Sequence, residues 1–179
     1  WTVGTPLAQL NLVGTGASAS TYRLRVNGGG FVTSNWTNTV VNLDKAQLTT
    51  LTGSLGNRVF LGGLSGTAAG ILNGGIGAGG IATYEVGALN TDTTFAGSFT
   101  AGRGLNFDKV GTGKLTLSGT LTSMVGPVAG AGLVRVRGGT LALVGATNLN
   151  AATTVTVESP GVLDVSGSTP VYSTGAALV

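Results

Sequence analysis

Apolar and polar residues alternate with a period of two along much of this chain. In "KLTLSG" (114–119), Leu115 and Leu117 fall on one side of an extended segment and Thr116 and Ser118 on the other. That is the signature of a strand buried on one face only. "TTVTVESPG" (153–161) repeats the pattern with Val155 and Val157 and ends in a Pro-Gly corner. "TVVNLDKAQLTTLTG" (39–53) places leucines at 43, 48 and 51, but its threonines and the lack of a sustained helical period predict strands there too. Almost no helix is expected.

The alternating unit recurs. "GKLTLSG" (113–119), "GTLALVG" (139–145) and "GVLDVSG" (161–167) share the form G-x-L-x-[LV]-x-G, and looser copies occur as "QLNLVG" (9–14), "RLRVNG" (23–28), "RVFLGG" (58–63) and "LVRVRG" (133–138). One such strand cannot cover its own apolar face. Stacking successive turns of the chain does so, by aligning Leu115, Leu141 and Leu163 in one internal ladder and Leu117, Leu143 and Val165 in another. Gly113, Gly119, Gly139, Gly145, Gly161 and Gly167, which bracket the copies, are then expected at sharp corners. The predicted fold is all-β, a single β-solenoid domain over 1–179. At about 22–26 residues per coil, it would have about seven coils and a length of about 35 Å. Residues 1–94 read as irregular coils and 95–179 as clearer repeats. The glycine-rich run "GILNGGIGAGGIATYEVG" (70–87) reads as a loop or a set of narrow corners.

Composition fits that plan. Of 179 residues, 33 are Gly and only 8% are charged, so Thr, Ser and Asn supply the polar surface. No apolar run approaches the roughly 20 residues of a membrane-spanning helix. The absence of cysteine removes disulfides and thiolate metal sites. The chain opens on Trp1 with no basic-then-apolar leader, which reads as a processed form. The net charge of +3 is spread thinly, and the pairs Arg23/Arg25 and Arg135/Arg137 are expected on outward strand faces. Without a basic stripe interleaved with stacking aromatics, nucleic acid is not the expected partner.

Chemical motifs fail one by one. "GTGK" (111–114) suggests a phosphate loop, but Asp108 stands where G-x-x-x-x-G-K-[ST] needs its first glycine and Leu115 where it needs a hydroxyl. "GIGAGG" (75–80) matches G-x-G-x-x-G literally, yet no helix follows it and Glu85 and Asp92 come too early for a ribose contact. Without histidine there is no Ser-His or Cys-His nucleophile and no imidazole metal site. The carboxylates are Asp44, Glu85, Asp92, Asp108, Glu158 and Asp164, and the one pairing that stacked coils suggest is Asp108 with Glu158 or Asp164. These read more simply as surface or corner residues, so the expectation is a protein without catalytic residues, cofactor or metal. Trp1 and Trp36 are the candidates for an exposed contact, with Trp36 the possible glycan contact.

The stretch "LGGLSGTAAGILNGG…ATYEVGALNTDTTFAGSFTAGRGLNFDKVGTGKLTLSG" (61–119) resembles bacterial proteins with autotransporter-associated β-strand repeats, also called passenger-associated transport repeats. The phrase T-F-x-G, then L-x-K-x-G-x-G-x-L-x-L-x-G, is matched at Thr94, Phe95, Gly97, Leu105, Lys109, Gly111, Gly113, Leu115, Leu117 and Gly119. "LNFDK" is longer than the usual "LTK", and "TLTSMVGPVAGAGLVRV" (120–136) replaces the phrase that commonly follows. The resemblance implies a right-handed parallel β-helix in an exported protein, acting as a passenger stalk or in adhesion at the cell surface or outside the cell. Neither "WTVGTPLAQL" nor "STPVYSTGAALV" carries the charge or helical cap of a protected edge. The expected partner is therefore self: adjoining coils, or identical subunits paired strand to strand into a fibre.

Overall fold

The computed structural model describes residues 8–18, 20–25, 32–51, 57–76, 80–119, 124–145, 154–168 and 177–178. They are all β, with no helix, and form a parallel β-solenoid of about five turns. Three stacks of parallel strands run along it.

The first stack joins the leading part of β3 (Val32–Asp44), the leading part of β5 (Asn57–Gly66), β7 (Ala82–Val86), β10 (Leu105–Lys109), β12 (Leu133–Val136), β14 (Thr154–Val157) and β16 (Ala177–Leu178). The second joins β1 (Ala8–Val13), the trailing parts of β3 and β5, β8 (Thr93–Phe95), β11 (Lys114–Leu117), β13 (Thr140–Gly145) and β15 (Val162–Ser168). The third, shorter stack is β2 (Ser20–Arg25), β4 (Ala46–Leu51), β6 (Ile71–Asn73) and β9 (Ser98–Thr100). Register partners on neighbouring coils lie 21 residues apart for Leu133 and Thr154 and 31 apart for Gln9 and Val40, with the other coils between.

The register turns the alternation into columns. Leu115 lies beside Leu141 and Leu141 beside Leu163, while Leu117 lies beside Leu143. Leu115, Leu117, Leu141 and Leu143 are buried, and Leu163 and Val165 are partly buried against the same core. In the first stack the inward column is Val59, Tyr84, Phe107, Val134, Val155. Each fully buried side chain of this size contributes about 1.5–3 kcal/mol over its exposed state.

The interior is filled rather than hollow. Phe95, Phe99 and Phe107 come from the three sides of one coil, with ring centroids 5.8 Å apart for Phe95–Phe99 and 5.1 Å for Phe99–Phe107. The buried Tyr84 hydroxyl donates to the Asn73 carbonyl at 2.9 Å, tying the first stack to the third.

Three expectations change. The run 70–87 is not one loop, since β6 and β7 lie within it. Residues 32–66, read as irregular, hold the longest strands, because β3 and β5 each pass from the first stack to the second by bending within the strand. No glycine-bracketed repeat marks such a bend, so it escapes the sequence pattern. Finally, Gly145 and Gly167 are not corners, because they sit in β13 and β15, paired with Ser168 and Val144. Gly113, Gly119, Gly139 and Gly161 lie outside the strands, between successive stacks. Gly139 has φ of 60°, which side chains rarely adopt, and a Cβ on Gly119 would collide with the Gly97 carbonyl of the neighbouring coil.

Candidate functional site

Chemistry concentrates on the outer face of the first stack. Its register sets Phe60 beside Glu85, Glu85 beside Asp108 and Asp108 beside Arg135. Parallel strands are about 4.8 Å apart, so charged groups distant in sequence become neighbours. Arg135 grips Asp108 with two donors, Nε at 2.8 Å and Nη2 at 2.6 Å. Arg58 Nη2 lies 3.0 Å from Glu85 and 3.7 Å from Asp108. Arg137 completes the row, with Nη1 3.7 Å from Glu85 and 3.9 Å from Asp108, and Nε 3.5 Å from Glu158.

The row is electrically balanced, three guanidinium groups against three carboxylates. Its centre and its edges differ. The Asp108 side chain is 0% exposed, whereas Arg58, Arg137 and Glu158 are 40%, 42% and 46% exposed. A two-donor guanidinium–carboxylate pair fixes geometry as well as supplying energy. The Asp108 bond, outweighing partial burial, holds Arg135 above its ordinary pKa, with the charges of Asp108, Glu158 and Glu85 adding to the effect.

The carboxylate pairing that the sequence analysis considered and set aside, Asp108 with Glu158 or Asp164, is not assembled. Asp108 meets Glu85, Arg137 stands between Asp108 and Glu158, and Asp164 lies on β15 in the second stack. The coil length varies, so counting residues does not give the register. Buried, with both oxygens on Arg135, Asp108 is a counter-ion rather than a group that can reach a substrate. The Asp164 carboxylate accepts from the Ser166 hydroxyl at 2.6 Å and the Ser166 amide at 3.0 Å, and those bonds hold it below the ordinary carboxylate pKa. Among the described residues, no three acidic side chains gather as a metal site would need.

Lys109 is the residue that sequence reasoning passed over. It occupies an inward column between Val86 and Val136 and is 1% exposed. Its Nζ donates to the carbonyls of Val110 at 2.7 Å, Gly111 at 3.3 Å and Gly138 at 3.1 Å, pinning the corners of two adjoining coils together. Burial lowers its pKa, and the charge of Asp92 opposes the shift. The signal was present: in "LNFDK" alternation puts Lys109 on the same face as Leu105 and Phe107.

Two backbone amides of the "GTGK" segment are taken by side chains of the preceding coil. The Thr112 amide donates to Asn90 Oδ1 at 2.9 Å and the Lys114 amide to Asp92 Oδ1 at 2.7 Å, so the previous coil holds this turn, and Lys114 points to solvent. Trp36 is half-buried, packed in part against the core, and Trp1 and the side chains of Arg23 and Arg25 lie outside the described residues. Of "GIGAGG", residues 77–79 also lie outside them.

No helix among the described residues is long and apolar enough to cross a membrane. Comparison with protein-family models, curated proteins and solved structures finds no match.

Proposed function

We propose that this chain is a structural, non-enzymatic β-solenoid of the bacterial surface or extracellular space, serving as a stalk. The observation that carries this reading is the filled, in-register interior, Leu115–Leu141–Leu163 on one side and Tyr84–Phe107–Val134 on another, in which every strand is placed to support its neighbours. Low charge favours it, because coils stack without repulsion. The resemblance to autotransporter-associated repeats supports a right-handed winding and an exported setting. The steps from coil to coil, 21 residues from Leu133 to Thr154 and 31 from Gln9 to Val40, support about seven coils over the whole sequence.

A second version, assembly into a fibre by end-to-end strand pairing, draws on the partial exposure of Leu163 and Val165 at β15. Electron microscopy of the isolated 179-residue chain separates the two. Uniform filaments support the fibre; monodisperse short rods at high concentration support the stalk.

Display of a glycan-binding surface, as in an adhesin, is the alternative. It draws on the exposed Arg58, Arg137 and Glu158 groups and the half-buried Trp36 ring. A glycan array compared between the wild type and Trp36→Ala tests it. A flat response from the wild type contradicts it.

A further inference from the structure

Three guanidinium groups converge on the outer face of the first stack. Asp108 Oδ2 lies 2.6 Å from Arg135 Nη2, 3.7 Å from Arg58 Nη2 and 3.9 Å from Arg137 Nη1. Glu85 Oε2 lies 3.0 Å from Arg58 Nη2 and 3.7 Å from Arg137 Nη1. Three cations thus surround two carboxylates, an excess of one positive charge at that point. The carboxylates are also the deeper groups. Asp108 is fully buried and Glu85 is 20% exposed, whereas Arg135, the least exposed of the three arginines, is 34% exposed. The charge presented to solvent there is guanidinium.

The third carboxylate, Glu158, is held differently. It follows β14, is exposed, and among the described residues its ion pair is with Arg137, whose Nε stands 3.5 Å away. That exceeds the usual N–H···O distance of about 2.7–3.2 Å. No other carboxylate oxygen among the described residues is nearer to Arg137. The other two arginines are fixed. Arg135 makes two bonds to Asp108, and Arg58 is held by Glu85 and by the Phe60 ring, with its guanidinium carbon 5.6 Å from the ring centroid. Among the described residues, no hydrogen-bond acceptor takes Nη1 of Arg58 or of Arg135.

We propose that Arg58, Arg135 and Arg137 form a clamp for an oxyanion carried by a glycan, either a uronic acid carboxylate or a sulfate ester. Glu158 is the weakly held stand-in that this ligand displaces from Arg137. The guanidinium fork matches paired oxygens of either group. Two of the three forks are already immobilised, which lowers the ordering cost of binding. The cations gather at one point with Glu158 beside them, so the clamp suits a single anionic group rather than the continuous phosphates of a nucleic acid. It rests on the glycan alternative above and gives that alternative a ligand class.

Titration calorimetry on the 179-residue chain tests it with two acidic probes: oligogalacturonate, whose anions are carboxylates, and a carrageenan oligosaccharide, whose anions are sulfate esters. The methyl ester of the first and the desulfated form of the second are the neutral controls. The wild type is expected to bind at least one acidic probe, more weakly as salt rises, and neither control. Whichever acidic probe binds more tightly assigns the anion. Arg137→Gln should stay folded, since it breaks no short ion pair, and lose about tenfold or more in affinity. Glu158→Gln should gain about threefold or more, because the stand-in is gone. Asp164→Asn removes a negative charge from the second stack and should leave the affinity unchanged. The clamp is overturned if a neutral control binds as tightly as its acid, if Arg137→Gln binds like the wild type, or if Glu158→Gln gains no more than Asp164→Asn. Single-stranded DNA competing as well as either probe also overturns it. Binding of neutral glycans that is lost in Trp36→Ala but kept in Arg137→Gln overturns the clamp and leaves the adhesin reading standing. A wild type that binds no glycan, acidic or neutral, overturns both.

Discussion

The outer faces of the first and second stacks rest on the same inner architecture and solve the same problem differently. Beneath both lie buried aliphatic and aromatic columns. Outside, the first stack carries Glu85, Asp108 and Arg135 in successive coils, with Arg58 and Arg137 reaching across. The corresponding outward row of the second runs Asn42, Ser65, then Thr94, Thr116 and Ala142, and carries a charge only at Asp164, one coil further on. Before Asp164 the coupling between coils in this row is neutral, such as the Ser65 hydroxyl donating to Asn42 of the preceding coil at 3.0 Å. A neutral polar row tolerates a shift of one coil against another, because one hydroxyl or amide replaces another. The charged row does not, because a slip takes Arg135 away from the buried Asp108 and leaves the neighbouring Glu85 and Asp108 carboxylates without the guanidinium groups that offset them. The first stack therefore fixes register, and the second is free to vary.

The largest expected effect comes from unpairing the first face. Arg135→Ala leaves the buried Asp108 carboxylate without its two-donor partner and should destabilise the chain by about 3 kcal/mol in denaturant unfolding. Replacing both, as Asp108→Leu with Arg135→Leu, makes the first face resemble the second and should recover most of that loss. A double variant as unstable as the single one would break the comparison.

The next effect is a pH dependence that belongs to the interior of the first stack. Burial raises the Tyr84 hydroxyl above its ordinary value of 10.0. The unfolded chain therefore ionises near pH 10 while the folded chain does not, so this contribution is full below that pH and falls as pH rises beyond it. Lys109 has the opposite sign. Its pKa is lowered by burial from 10.5, so the unfolded chain holds its proton longer, and stability rises as pH climbs from the lowered value to 10.5. Tyr84→Phe should remove the alkaline loss, and Lys109→Met the preceding rise, in unfolding curves taken across that range. Unchanged curves in both variants would show that these groups titrate alike folded and unfolded.

The smallest effect is on the second face. Thr116→Val should stay within about 0.5 kcal/mol of the wild type. A larger loss would give that face a structural role like that of the first.

These contrasts show how far the residues could be read without coordinates. The columns through Leu115 and Leu141 were legible because alternation and glycine punctuation repeat within a few residues. β6 and β7 were obscured because they are short, ILN and ATYEV, and stand among the glycines that dominate the rest of 70–87; within β7 itself Ala82, Tyr84 and Val86 do alternate. Parts of β3 and β5 were legible, in the strands read over 39–53 and the looser copy at 58–63, but the bend by which each joins two stacks was not, because no residue pattern marks it. The charged row was illegible because its partners come from different coils, Arg58 to Glu85 and Arg135 to Asp108 both across 27 residues, while other coils differ in length. Glu158 was therefore matched to Asp108 when Arg137 stands between them. Lys109 was legible in principle, since its place in "LNFDK" is inward, but lysine is so seldom buried that the pattern was outweighed.

The in-register stacking of coils underlies both the stalk and the contrast between its faces, and the lack of native cysteine allows it to be tested directly. Thr116 and Ala142 are register partners on adjacent coils, and Asp164 lies one coil beyond. Partners about 4.8 Å apart are within reach of a disulfide, whereas a pair two coils apart is not. Thr116→Cys with Ala142→Cys should oxidise to an intramolecular disulfide, and Thr116→Cys with Asp164→Cys should remain reduced under the same conditions. Equal cross-linking in both pairs, or in the second alone, would contradict the stack.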